Sequence, residues 1–245
     1  PRSHIGWVRM RQCGGSDLRD GYDTSPLNPV PPVVWLLILP IAAMEIVLSA
    51  GELGLAGGQF GIGWRSDAIQ RFALSPMMLD VMLGNRTWPA EYLIRFLTYP
   101  LVHASFMHAL FALVFLLALG KMVAEVFHPA SVVAVFVTAA VLGGIAYSLA
   151  PGVQPALVGA YPPVYGLIGA FTFILWRRLG AVNANRYRAF TLIGFLLGVQ
   201  LVFGLLFGGS PEWIADLVGF GTGFALSFVV GPGGPRDLIG ALRRR

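Results

Sequence analysis

The chain has 245 residues, of which 56% are apolar and 12% charged, and its mean hydropathy is +0.71. A soluble domain carries about twice that charged fraction, so composition excludes an ordinary water-soluble globule. The net charge of +5 comes from 16 arginines and one lysine, placed between apolar runs as loop anchors are, which excludes a nucleic-acid interface. Cys13 is the only cysteine, so no intrachain disulfide can form.

Residues 1–31, with Gly14-Gly15, Asp17, Asp20, Asp23 and the run Pro26 to Pro32, read as a flexible cytoplasmic tail. Its Arg2, Arg9 and Arg11 are placed to touch acidic lipid heads. The first apolar run follows this stretch too late for a cleavable signal. That run, Val33–Ala50, holds Pro40 and Glu45. A carboxylate at that depth costs a few kcal/mol unless it faces protein, so Glu45 predicts an interhelix hydrogen bond.

Residues 51–97 mix Phe60, Trp64, Phe72, Met77-Met78 and Trp88 with Arg65, Arg71, Arg86 and Arg95. This is the pattern of a loop lying in the membrane interface, long enough to hold short helices of its own. Five more spans follow: Thr98–Val126, Ser131–Ala150, Pro162 to Arg178, Phe190–Phe207 and Trp213–Val230. A basic cytoplasmic tail, 232–245, ends in Arg243-Arg244-Arg245.

The expected fold is therefore an all-α polytopic membrane protein, a six-helix bundle over residues 32–231 with a long membrane-associated loop between the first two helices. Arginine and lysine are more abundant on the side that carries both ends, which predicts cytoplasmic termini. High alanine, glycine and arginine with little lysine point to a GC-rich bacterium, and the expected location is its inner membrane.

The fourth span is unusual. From Pro162 to Arg178 is about 25 Å of helix, short for a hydrocarbon core of about 30 Å. A Pro-Pro pair suits a helix start, where amides lack partners in any case. The preceding Pro151, Gly152, Pro155 and Gly159 predict a non-helical segment dipping into the membrane, tolerated only beside a protein-lined or watery cavity. An intramembrane hydrolase presents its nucleophile in such a geometry.

Three motifs, spread between Arg95 and Gly223, carry a resemblance. Arg95-Phe96-Leu97-Thr98 followed by His103-Ala104-Ser105-Phe106-Met107-His108, then Gly159-Ala160-Tyr161-Pro162, then Ala215-Asp216-Leu217-Val218-Gly219-Phe220-Gly221-Thr222-Gly223 resemble, in order, three segments of the rhomboid family. The resemblance implies a six-helix rhomboid-like fold and peptide hydrolysis within the membrane by a Ser–His dyad. The same alignment puts Tyr161 at the nucleophile, Pro162 at the following glycine, Asp216 at the general base and Ala112 at an oxyanion-side asparagine. His108 alone matches, at the oxyanion-side histidine, and the family's glutamate near the end of that helix is approximated by Glu125, one position displaced.

Each change removes chemistry. A serine protease needs an alcohol activated by a base within hydrogen-bond reach. A phenol is a poor acyl-transfer nucleophile, and proline has no amide hydrogen to donate to an oxyanion, a loss worth about 100- to 1000-fold in rate. The expectation is a pseudoprotease that binds transmembrane segments of other proteins as an assembly factor, chaperone or accessory subunit. Its catalytic positions would be vestigial, with Tyr161 and Asp216 either hydrogen-bonded together as a plug or satisfied separately.

Glu45, Gln200 and the Gly194/Gly198 pair are the client-binding candidates. The Gly219/Gly223 pair allows close helix approach, and the resemblance implies that it packs on the fourth helix; Gly143-Gly144 is expected inside the fold. His103, His108 and Asp216 include zinc-ligand types. The two histidines, however, fall about 140° apart around a helix, so neither a metal nor a cofactor is expected. His128 is expected in a solvated turn. Two other readings compete: a divergent protease using Ser105, within the second helix, or Ser148, near the end of the third; and a transporter or channel lined by Glu45, Glu52 and Asp216. The expected partners are transmembrane helices and membrane lipid.

Overall fold

The computed structural model describes residues 29–207 and 210–232. The expectations for the cytoplasmic tails, including the lipid contacts of Arg2, Arg9 and Arg11, fall outside the described residues. The chain divides into Pro1–Val30 and Pro31–Arg245, and the architecture below belongs to the second unit.

Helix α1 (Pro32–Glu52) opens on a proline in its first turn, where the missing N–H is no loss. The expected interfacial loop is folded throughout its middle. A 3-10 turn at Gly58–Gly63 leads into α2 (Trp64–Phe72), α3 (Pro76–Asn85), α4 (Ala90–Leu93) and α5 (Arg95–Thr98), and a second 3-10 turn spans Tyr99–Leu101. Leu74, Leu79, Met82, Phe96 and Tyr99 from this region form one buried cluster with Ala140, Tyr147, Leu157 and Ala215. The Tyr99 hydroxyl donates to the Ala140 carbonyl at 2.9 Å. The loop is thus part of the protein core on one side.

The second long helix, α6 (Phe106–Ala124), starts later than the expected Thr98. Pro100 lies in the 3-10 turn and cannot contribute an amide to a continuing α-helix. Ser105 restarts the helix as its N-cap, accepting the His108 N–H at 3.3 Å. Helix α7 (Pro129–Leu149) is capped by His128, whose Nδ1 accepts the Ala130 N–H at 3.2 Å; the side chain is exposed. Helices α8 (Tyr161–Ala181), α9 (Thr191–Phe207, after a 3-10 turn at Arg186–Phe190) and α10 (Trp213–Val230) complete the order.

Helix α8 is the central element, flanked by α10, α7 and α6, and every residue from Pro162 to Ala170 is buried. Backbone-to-backbone approach makes this possible. A Cβ on Gly219 would strike the Pro162 carbonyl, and one on Gly223 the Gly166 carbonyl, so the Gly219/Gly223 pair packs on α8 as expected. Gly143 lies against the Ala215 carbonyl and Pro162, and Gly144 against Leu74, Phe96 and Tyr99, also as expected. At the other end, Phe173 and Trp176 of α8 pack edge-on against Phe224 and Phe228 of α10.

Among the described residues four helices, α1, α6, α7 and α10, are long and apolar enough to cross a membrane. Of the other two expected spans, α8 carries Arg177 and Arg178 near its end and α9 has 17 residues. Helix α8 runs 21 residues, about 30 Å, because it continues to Ala181; the expectation of a short fourth helix is corrected. Large apolar side chains such as Leu36, Leu39, Ile46 and Val47 on α1 and Phe106, Phe111 and Val114 on α6 are exposed, the pattern of lipid-facing surfaces.

Candidate functional site

The site is built where the segment before α8 meets the start of α6. Leu74 and Leu157 pair as an antiparallel bridge, with N···O distances of 3.1 and 2.8 Å, and the Gly159 N–H donates to the Tyr99 carbonyl at 3.0 Å. The Ala160 N–H donates to His103 Nε2 at 3.2 Å. Four backbone amides are thus satisfied outside any helix, which is how irregular backbone survives in a buried place. Gly159 has φ +93°, a conformation that strains any side chain. A Cβ there would also lie 3.0 Å from His108 Cε1 and 3.3 Å from His103 Cδ2.

His103 is fully buried, and its Nδ1 has no partner. Burial, and then its neighbour His108, lower the His103 imidazole to about 4. It is therefore neutral at physiological pH, consistent with Nε2 accepting a hydrogen bond. Because His103 precedes α6 instead of riding on it, the helical-spacing argument that separated the two histidines fails: their rings meet edge-on with centroids 5.3 Å apart. Both have local work, since His108 Nδ1 accepts the Ala104 N–H at 3.3 Å.

Tyr161 is the first residue of α8. Its ring stacks on His108, with centroids 4.9 Å apart and planes 15° from parallel, and its hydroxyl donates to the His108 carbonyl at 3.3 Å. Pro162 lies buried in the first turn, and Ala112 is buried in α6. Asp216, on α10, is 2% exposed and accepts from Gln200 Nε2 of α9 at 2.8 Å. The two side chains expected to plug the site together are therefore held by different partners, Tyr161 by α6 and Asp216 by α9.

Of the competing serines, Ser148 lies near the end of the third long helix as expected, and Ser105 does not lie within the second. Ser105 caps α6 from outside the helix and is exposed. Ser148 is 4% exposed within α7, with its Oγ unpartnered. Among the described residues, no group of three or more His, Cys, Asp or Glu side chains is arranged to hold a metal ion.

Glu45 is not offered to a client. It is buried and paired with Arg65, whose Nη1 and Nη2 donate to the two carboxylate oxygens at 3.0 and 2.7 Å. Ser49 Oγ donates to Glu45 Oε1 at 2.7 Å. Arg65 also donates to Glu52 from Nε (2.6 Å) and Nη2 (2.9 Å), and to the His103 carbonyl from Nη1 (2.9 Å). The hydrogen bonds to Glu45 raise the guanidinium still further above its usual range, against the opposing effect of burial. Glu45 and Glu52 thus converge on one arginine.

The partner of Glu45 is a loop residue, missed because Arg65 resembles the other interfacial arginines. The signal was present: Glu45, Ser49 and Glu52 stand at i, i+4 and i+7, one face of a helix, and such a face needs a cation. Gly194 and Gly198 lie on an open face of α9, where added Cβ atoms would meet nothing within 4 Å.

Four apolar helices of spanning length, a central helix reached by close glycine contacts and an irregular buried segment at its start define an integral membrane protein of several helices. The Rhomboid domain model matches residues 90–233, more than half of the chain, and the chain belongs to the rhomboid family. No curated protein matches it.

Proposed function

We propose that this rhomboid-family protein does not hydrolyse peptide bonds and instead binds transmembrane segments of other membrane proteins, as an assembly factor, chaperone or accessory subunit. The family contains both proteases and inactive members, and the reading turns on one observation. The residue that opens α8 is a tyrosine whose ring covers His108 and whose hydroxyl is engaged by the His108 carbonyl. An acyl-transfer nucleophile must be free to lose its proton to a base, and no base is bonded to this phenol. Pro162 removes an amide from the first turn, where oxyanion donors are commonly found. Binding is supported by the open glycine pair of α9, which allows a partner helix to approach closely. It is supported again by a shallow groove between α7 and α10 lined by Thr138, Leu142, Leu217, Gly221 and Ala225.

The protein would sit in a bacterial inner membrane with both termini in the cytoplasm. The test uses purified protein in lipid vesicles with a helical test peptide, alongside pull-down in mild detergent. The expected result is no cleavage, no fluorophosphonate labelling and recovery of one stoichiometric membrane complex. Cleavage abolished by Tyr161→Phe or Asp216→Asn would overturn the reading, as would specific labelling of Ser105 or Ser148.

A further inference from the structure

Asp216 and Gln200 share one hydrogen bond, from Nε2 to Oδ2 at 2.8 Å, and each has one oxygen that takes no part in it. Those oxygens, Asp216 Oδ1 and Gln200 Oε1, are both buried and both without a partner. If Asp216 is a carboxylate, both are acceptors and neither can satisfy the other. A buried polar atom left in that state costs its full desolvation, and a charged one costs more. A protonated carboxyl, by contrast, gains one O–H donor. A carboxylic acid and a primary amide then present matching donor and acceptor edges, and a single proton on Oδ1 satisfies both orphaned oxygens.

We propose that Asp216 is held as the neutral carboxylic acid and forms a double hydrogen bond with Gln200 that fastens α9 to α10. The surroundings agree. The charged and titratable groups that act on Asp216 are the Glu212 carboxyl before α10 and the phenols of Tyr99, Tyr161 and Tyr165. Helix α7 contributes only Tyr147, whose hydroxyl donates to the Pro155 carbonyl, and α9 has no titratable residue. None of these is a cation. Glu45 shows what a buried carboxylate has in this protein when it is charged: an arginine and a serine donating to it.

Two consequences follow. The side chain at the general-base position already holds a proton and cannot accept another. Helix α9, whose closest packing among the described residues is against the 3-10 turn before it, is tied to α10 by its one polar side chain beyond Thr191. Asn at position 216 keeps both hydrogen bonds without a titratable proton, so Asp216→Asn mimics the proposed state.

The experiment is infrared difference spectroscopy of the full chain in lipid nanodiscs at neutral pH, with spin-label distances between α9 and α10. The wild type minus Asp216→Asn spectrum is expected to show a carboxylic-acid C=O band. That band should move to higher frequency in Gln200→Leu, or in the milder Gln200→Asn if the first does not fold. The α9–α10 distance should widen in the Gln200 variant and stay unchanged in Asp216→Asn. Raising the pH until the acid band disappears should widen the distance in wild type and leave Asp216→Asn as it was. Carboxylate bands alone at neutral pH, or an acid band that ignores the Gln200 change, would overturn the protonation state. A distance that stays fixed after the band is lost would overturn the tie.

Discussion

Glu45 and Asp216 both carry carboxyl groups buried in apolar helices, and the protein surrounds them in opposite ways. Around Glu45, two guanidinium nitrogens and a serine hydroxyl supply donors, and Arg65 in turn binds Glu52 and the His103 carbonyl. Around Asp216 there is one amide and no cation. The first arrangement is a charged knot that binds α1, α2 and the approach to α6 into one unit. The second is one hydrogen bond between α9 and α10. A buried charge is kept here by a cation with several donors, and a buried acid by a single amide partner. The difference places a dense hydrogen-bond network on the α1–α2 side and one described side-chain hydrogen bond between α9 and α10.

The comparison breaks most sharply at Arg65. Replacing it with methionine leaves Glu45 buried without its counter-ion, a change that costs about 3–5 kcal/mol. Thermal unfolding in detergent should show that loss, and adding Glu45→Gln to Arg65→Met should recover part of it; equal midpoints for the single and double variants would mean that the knot carries no special stability. Next comes the packing of α10 on α8. Gly223→Ala drives a Cβ into the Gly166 carbonyl, and overpacking of this kind costs about 1–3 kcal/mol, to be read as a lower unfolding midpoint of the purified protein.

A smaller effect is expected at Tyr99. The Phe variant loses the 2.9 Å hydrogen bond to Ala140, worth about 0.5–1.5 kcal/mol. His103 makes the stability depend on pH. Its folded value of about 4 lies below the ordinary 6.5, so between these values the unfolded chain binds the extra proton. Stability is fully present above the ordinary value and is lost as pH falls from there toward 4. Melting midpoints across that window should decline in wild type and flatten in His103→Gln.

The smallest effect tests the α9 side. Replacing Gly194 and Gly198 together with leucine fills open space, so stability should stay within about 0.5 kcal/mol while recovery of the membrane partner in a pull-down falls. A large loss of stability would show that this face is packed within the fold.

Much of the architecture was legible because membranes impose simple rules on sequence. Apolar runs of spanning length located α1, α7 and α10 to within one or two residues at their ends, the glycine spacing of α10 marked a close helix contact, and the family resemblance named α8 as its partner. The beginning of α6 was misplaced because hydropathy does not register that Pro100 interrupts the helix and Ser105 restarts it. The 51–97 loop read as interfacial from its mixed composition, but burial of Leu74, Met82 and Phe96 in the core depends on partners from α7 and α10 that are distant in the chain.

By itself, the sequence determined which atoms are absent from the site: no alcohol opens α8, no imidazole stands on α10, and Pro162 has no hydrogen to donate. Those are properties of residue types, fixed before folding. Only the tertiary structure decided which groups the replacements meet. Tyr161 lies on His108, Asp216 accepts from Gln200 and Glu45 holds Arg65 because hydrogen bonds act over about 3 Å, and that proximity is created by packing between residues 16 to 53 positions apart.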